Sequence, residues 1–282
     1  MKVLVTGANG QLGSDVVKEL KSRKMEFIGV DIKDFDITDY DKTLSFITKQ
    51  APDAVIHCAA YTAVDKAEDE PEKCHLINDK GSENVACACA KLNAKMVYMS
   101  TDYVFSGDGT EPFEGDAPKS PLNEYGKSKL NGELSVQANC EKSFIVRTSW
   151  VFGLSGGNFV KTMIKLGKEK GSINVVCDQV GSPTYTKDLA VLLCDMIKTN
   201  KFGVYHATNE GFCSWADFAQ EIMNLAKLNA KITPIPTSEY KTKATRPLNS
   251  RLSKVCLEDA GFNTLPSWIN ALKRYIDELK NE

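Results

Sequence analysis

The chain reads as an α/β protein: a doubly wound parallel sheet followed by a smaller C-terminal α/β lobe. Three observations point there. In the first half, short β-rich runs alternate with helix-length amphipathic segments, the pattern of a parallel sheet covered on both faces. A glycine-rich turn, VTGANGQLG, directly follows the first of those runs. At 282 residues the chain is long for one simple layered domain, and after about Trp150 the rhythm loosens. Residues 1–150 are therefore expected to form a dinucleotide-binding Rossmann domain. Residues 151–282 are expected to form mainly a substrate-binding lobe, with some segments returning to the first domain.

The elements follow in order. KVLV, EFIGV, DAVIHC, AKMVYMS and SFIVRTS are the expected strands of the first half. Leu12, Val16, Val17 and Leu20 recur at helical spacing after the first, residues 38–50 fit a helix between the second and third, and Ile77, Val85, Ala88 and Leu92 carry a later helix. In the second half, VVCDQVGSPTYTKDLA reads as a strand, a turn and a helix start, and GVYHA as another strand. SWADFAQEIMNLAKL reads as a helix capped by Ser214, and PSWINALKRYIDEL as a terminal amphipathic helix with Pro266 near its start. The stretch between them, ITPIPTSEYKTKATRPLNSRL, is interrupted by prolines and is expected to be irregular.

Composition excludes several functions. A net charge of −2 creates no field favouring nucleic acid or an anionic membrane surface, so neither is an expected partner and any phosphate must be bound by local donors. The apolar run in MKVLVTGANG is too short for a signal peptide, and no stretch approaches the roughly 20 apolar residues of a membrane span, which predicts a cytoplasmic protein. Nine cysteines without a C-x-x-C pair read as reduced, buried thiols, and His57, His75 and His206 share no metal-ligand spacing, so no metal is expected.

Gly7, Gly10 and Gly13 lie between the first strand and the first helix, spaced G-x-x-G-x-x-G rather than the tighter G-x-G-x-x-G. Glycines there permit a tight turn and let backbone N–H groups approach a pyrophosphate at a helix N-terminus. Asp31 ends the second strand eighteen residues beyond Gly13, where a carboxylate would take the adenine ribose hydroxyl. Its charge repels a 2′-phosphate and slightly favours NADH, whereas Lys33 offsets that preference, so NADH and NADPH both stay open. Asp36 and Ile37 are candidates for the adenine edge. The fourth strand ends in YMSTDYVFSG, so Ser100, Thr101 and Asp102 are expected to face the crevice outside the carboxyl ends of the strands.

The segment NEYGKSK adds Tyr125 and Lys129, which share a face if helical. With nine tyrosines and 35 lysines and arginines, about one such pair is expected by chance, so only its company gives it meaning. That company is Thr101, and the three side chains could converge. An ammonium beside a phenol favours the phenolate and is expected to lower the tyrosine toward the range of a working acid or base.

TGANGQLG, HCAAYTAVDKAE, STDYVFSG, YGKSK, GSPTY and RPLNSRL together resemble the extended short-chain dehydrogenase/reductase family, in particular its reductases of dTDP-linked 4-keto sugars. The resemblance spans the whole chain. It implies hydride transfer from NADH or NADPH to the C4 ketone of a 6-deoxy-hexulose, giving dTDP-L-rhamnose for a polysaccharide. It also implies that Tyr125 gives a proton to the new alkoxide, that Lys129 lowers its pKa and holds the nicotinamide ribose, and that Thr101 binds the substrate oxygen. Gly10, Gln11 and Leu12 match the family's dinucleotide loop; Ala59, Ala60 and Tyr61 match the stretch along the cofactor; Asp102 and Trp150 match the sugar pocket. Arg246 and Arg251 are candidates for the nucleotide diphosphate, because a guanidinium fork suits phosphate oxygens.

Some members of the family dimerise through a magnesium ion held by glutamates. Here Lys187 stands where one glutamate aligns, and an ammonium cannot ligate a cation, although Asp188 is next to it. Monomer and homodimer both remain open. Dehydratases resembling this family carry Asp-Glu after the threonine, whereas this chain has Asp102-Tyr103, which argues for reduction. Another nucleotide-sugar reductase or epimerase is the enzymatic alternative. A non-catalytic subunit resembling the regulatory β subunit of methionine adenosyltransferase is the alternative from another class.

Overall fold

The computed structural model describes residues 1–281. Its centre is a six-stranded sheet of β1 (Lys2–Thr6), β2 (Glu26–Val30), β3 (Ala54–His57), β4 (Lys95–Thr101), β5 (Ser143–Thr148) and β6 (Gly203–His206). The spatial order is β2-β1-β3-β4-β5-β6, and every neighbouring pair is parallel. The chain steps outward from β1 to β2, then crosses back to β3 on the other side of β1. The connections on either side of that reversal leave in opposite directions, and a crevice opens between β1 and β3 at their carboxyl ends.

Alternation along each strand explains why both faces are covered. Val3, Val5, Ile56, Val97, Phe144 and Val146 pack on one side with α1 (Gln11–Ser22) and α6 (Thr186–Met196). Leu4, Val55, Met96, Tyr98 and Ile145 pack on the other with α2 (Tyr40–Gln50), α3 (Gly81–Leu92) and α4 (Glu124–Asn139). Side chains of period two on a sheet buried on both faces are mostly apolar, with Ser100 and Arg147 among the buried polar exceptions on β4 and β5. The helices meet them with stripes at helical spacing, such as Leu189, Leu192, Leu193 and Met196 of α6.

After β5 the chain enters the lobe, returns as α6 and β6, then leaves again. The lobe has its own core, in which Phe152, Tyr185, Phe218, Trp268, Leu272 and Tyr275 join α5 (Phe159–Glu169), α7 (Trp215–Ala226) and α8 (Trp268–Leu279). Ser214 caps α7 in a reciprocal capping box with Asp217, and Ser267 caps α8, so Pro266 lies two residues before that helix. The proline-interrupted stretch begins in a strand: Lys231–Ile235 pairs in parallel with Ser172–Val176. Pro234 fits there because this two-stranded ribbon leaves each strand an edge where no donor is required.

Lobe and sheet are stapled beside the glycine turn. Gln11 Oε1 accepts from Gly153 N (3.0 Å) and Asn158 Nδ2 (3.1 Å), Ser14 Oγ donates to Ser155 Oγ (2.8 Å), and Thr186 Oγ1 donates to the buried Asp15 (2.5 Å). None of the nine cysteines is in a disulfide. Among the described residues no helix is long and apolar enough to cross a membrane.

The α4 helix touches β4 at Gly132, where a Cβ would lie 2.2 Å from Tyr98 Oη and 2.3 Å from Asn78 O. On an open helix Gly→Ala stabilises by about 1 kcal/mol. Here Gly132→Ala is expected to destabilise by about 1–3 kcal/mol through overpacking, read as a lower urea midpoint; an unchanged or raised midpoint would contradict this packing.

Candidate active site

Two edges of the crevice are built from backbone. Gly7 adopts the left-handed conformation (φ 64°) and Gly10 N donates back to Gly7 O at 3.0 Å, closing the turn before α1. A Cβ on Gly7 would sit 2.7 Å from Ala59 N, and one on Gly13 would sit 2.1 Å from Gly7 O. Gly10 is the N-cap of α1 and supplies no side-chain acceptor, so the first-turn amides remain available to an anion. Beside them lies a cleft of about 520 Å³, walled by Gly7, Gly10, Asp31, Ile37, Ala59 and Ala60 among others. This combination fits the adenosine and pyrophosphate of a dinucleotide.

The remaining residues of that edge divide. Asp31 braces the turn, accepting from Asn9 N (3.2 Å) and Ile32 N (2.8 Å), and is half-buried at the cleft wall. Asp36 closes its own turn on Thr38 N and Oγ1, while Ile37 supplies apolar wall. Leu12 packs into the core and Gln11 turns its amide to the lobe, so both can present only backbone to a ligand. Tyr61 sends its hydroxyl to Glu70 (3.3 Å), away from the cleft walls.

The other edge is the end of β4. Thr101 Oγ1 donates to Asp102 Oδ1 (2.9 Å) and accepts from Tyr103 N (3.3 Å). Asn123 caps α4 by accepting from Gly126 N (2.8 Å) and ties it to the lobe strap through Thr245 O (2.9 Å). Tyr125 therefore sits in the first turn of α4, with its ring edge-on to Tyr103 at 5.6 Å and its phenol beside Thr101. Ser100 does not face the crevice: it donates to the buried Glu133 (2.5 Å), because strand alternation turns it away from Thr101.

Electrostatics depart from the simple expectation. Tyr125 is half-buried, and burial pushes its phenol above the ordinary tyrosine range; the Asp102 charge adds to the rise and the Thr101 hydroxyl opposes it. Lys129 does not offset this. Its Nζ lies over the Tyr98 ring at 4.1 Å, and burial pushes the lysine down to about 7, against the pull of Glu133. Desolvation, which favours the neutral form of both groups, is the largest cause for each. Asp102 is pushed up to about 6, again chiefly by burial.

A buried polar chain that the sequence reading missed supports the site. Asn78 clamps the Tyr61 backbone in both directions (2.8 and 3.0 Å) and donates to Ser128 Oγ (2.9 Å), which donates to Tyr125 O (2.7 Å). It lies in a π-helical turn, Leu76–Lys80, and such turns aim side chains that a regular helix cannot. The residues there follow an ordinary helical pattern, so nothing in the sequence marks the extra turn.

A second cleft of about 230 Å³ opens between the lobe and the end of β4. Arg246 lines it and is engaged, donating to Tyr103 Oη (3.0 Å) and Asp65 Oδ2 (2.6 Å). Arg251 is not among its lining residues; it donates to Asn249 Oδ1 (3.0 Å) and lies near the Phe212 ring. Trp150 holds a left-handed backbone (φ 50°), uncommon for a bulky side chain, and stacks on Trp215 at 3.7 Å, which lines the cleft. Lys187 pairs with Glu278 and Arg274 with Asp188, so carboxylates near the aligned metal position are taken by cations. Among the described residues no group of three or more His, Cys, Asp or Glu could hold a metal ion.

The family model described as RmlD substrate binding domain matches residues 1–281. The chain belongs to that family. A dTDP-4-dehydrorhamnose reductase of Aggregatibacter actinomycetemcomitans is 39% identical over 96% of this chain and 97% of its own length. The spore coat polysaccharide biosynthesis protein SpsK of Bacillus subtilis is 43% identical over 98% of this chain and 97% of its own. The dTDP-4-dehydrorhamnose reductase of Bacillus anthracis, solved in complex with NADP, superimposes with a TM-score of 0.96 at 44% identity, covering 98% of this chain and 99% of that one. The fold is thus that of an RmlD-family reductase along its whole length.

The raised Asp102 gives a pH test. A carboxyl whose folded pKa exceeds its ordinary value of 3.8 penalises the fold above about 6, where it must be charged while buried, and stops doing so below about 4. Asp102→Asn is expected to stabilise the protein near pH 8 by on the order of 2 kcal/mol and to give little gain near pH 4. Thermal melts at both pH values check this; an equal gain at each would refute it.

Proposed function

We propose that the protein reduces the C4 ketone of dTDP-4-dehydro-L-rhamnose to dTDP-L-rhamnose with NADH or NADPH. The observation that carries this reading is the Tyr125 phenol beside Thr101 at the end of β4, with Lys129 one turn further along α4 and an uncapped glycine turn after β1. When bound, the nicotinamide supplies the hydride. The glycine turn and the α1 amides would hold the pyrophosphate, Asp31 the adenine ribose, Ala59 and Ala60 the passage to the reacting end, and Lys129 the nicotinamide ribose.

Tyr125 is held protonated by its surroundings, the form in which its Oη can pass a proton to the C4 oxygen as negative charge develops there. Thr101 Oγ1 can turn from Asp102 to donate to the same oxygen. Tyr103 touches Tyr125 on one side and Arg246 on the other, so the second cleft begins where the reacting carbon would lie. That cleft would take the nucleotide, with Trp215, backed by Trp150, as a flat apolar surface and Arg246 as the diphosphate donor. Tyr103 stands where a dehydratase would need a second carboxylate, which favours reduction over water elimination. The complete triad favours an enzyme over a regulatory subunit. On this reading the protein is a cytoplasmic monomer or homodimer supplying rhamnose to a polysaccharide, in keeping with the SpsK relative.

The relative solved with NADP makes NADPH a sound first cofactor to try, with NADH beside it because of Asp31. Mixing the protein with either and the dTDP-4-keto-6-deoxy sugar should deplete the nicotinamide absorbance stoichiometrically with product. Protein that is folded and binds cofactor but oxidises neither would sink the proposal. Tyr125→Phe should hold cofactor affinity within a few-fold and lose turnover by about 10² or more. Undiminished turnover would remove Tyr125 from the role of acid.

A further inference from the structure

Behind the end of β4 lies a charged assembly that the reaction above does not use. Glu133 and Arg147 form a bidentate ion pair at 2.8 and 2.7 Å, with both side chains 97% or more buried. Ser100 donates to the same carboxylate, and Arg147 Nη1 is held by Gly115 O (2.8 Å) and His206 Nε2 (3.3 Å). His206 Nδ1 meets Ser253 O at 3.0 Å, which makes Nδ1 the donor and leaves Nε2 to accept from Arg147. Every polar atom of the pair is engaged, so the carboxylate is fixed in place. Two of its anchors are chemically telling: Ser100 is the chain neighbour of Thr101, and Glu133 follows Lys129 by four residues on α4, hence on the same face.

Lys129 has few other ionic neighbours. From β3 and the residue after it, His57 is neutral, pushed down to about 3 by burial, and the Cys58 thiol is pushed up by burial. From the short helix Pro71–His75, the Cys74 thiol is likewise pushed up. From β4 the Tyr98 phenol is raised, and on α4 itself so is Tyr125. All these groups are uncharged near neutrality. Facing Glu133 from the far side are Arg147 on β5 and Lys119 in the loop before α4.

We propose that Glu133 is a positioning residue for the reduction: its carboxylate, clamped by Arg147 and Ser100, opposes the desolvation of the buried Lys129 and so enlarges the fraction held as the ammonium that can donate to the cofactor. The inference rests on the role given to Lys129 above. A buried lysine without an opposite charge gives up its proton, and a neutral amine loses the fixed donor character that a ribose hydroxyl pair needs. Glu133 supplies that opposite charge through the protein rather than through solvent. Arg147 clamps both carboxylate oxygens while its Nη1 is shared with Gly115 O and His206 Nε2.

The test is a fluorescence titration with NADPH from about pH 6 to about pH 10, with kcat followed in parallel on the dTDP-4-keto sugar. In Glu133→Gln the alkaline fall of NADPH affinity should move down by about one pH unit, with affinity within about two-fold of wild type at the acid end. Because this variant strands Arg147 and could fail to fold, Glu133→Gln/Arg147→Met, which removes both charges, is measured beside it. It also lacks the carboxylate, so its alkaline fall should be shifted in the same direction. A uniform loss of affinity at all pH values, with the fall unmoved in either folded variant, would overturn the proposal and leave the pair a packing element. If wild-type protein binds NADPH but turns over no sugar, the reductase reading fails while the binding titration still decides the role of Glu133.

Discussion

The structure depends on one close approach: the backbone of Gly7 lies against that of Ala59, with no room between them for a single methyl group. That contact sets β1 and β3 side by side at the point where the strand order reverses, and so fixes where the crevice opens. Gly13 repeats the constraint from the other side, letting the first turn of α1 settle on Gly7 O. Once α1 is seated there, Gln11, Ser14 and Asp15 lie within reach of the lobe and staple it down, so the glycine turn orders both the dinucleotide edge and the position of the lobe.

Burial, more than pairing, governs the charges at the candidate site. Tyr125, Asp102 and Lys129 are all shifted toward their neutral forms, and in each case desolvation is the largest cause. This suits a site that must hold a proton on a phenol until negative charge develops in front of it. It also means that a single enclosed carboxylate, Glu133, has leverage over Lys129 that no surface charge could match.

Much of this was legible in the sequence, for identifiable reasons. Strands buried on both faces leave continuous apolar runs, and all five in the first half, with GVYHA in the second, lie in the central sheet. Glycines in a βα turn and a Tyr-x-x-x-Lys on a helix are local patterns, and both lie on the elements expected. The expected direction for Tyr125 was wrong because it weighed one neighbouring charge and could not weigh the loss of water. Ser100 was assigned to the crevice with Thr101, although strand alternation sends adjacent residues to opposite faces. The sequence expectation makes residues 232–235 irregular because prolines break a helix or an inner strand, whereas an isolated two-stranded ribbon tolerates them.

By itself the sequence determined what is local or periodic: the order of elements, the glycine turn, the helix cap at Ser214, and the residue types available for proton and phosphate chemistry. Only the tertiary structure decided which of those residues meet. It placed Arg246 on Tyr103 and Asp65 but Arg251 elsewhere, stacked Trp150 on Trp215, and set Asn78 and Glu133 beneath Tyr125 and Lys129. Apart from Glu133 and Lys129, which share a helix, these contacts join residues tens to more than a hundred positions apart, and burial of their polar atoms is a property of the packed whole. Neither leaves a repeat or a spacing in the chain from which it could be read.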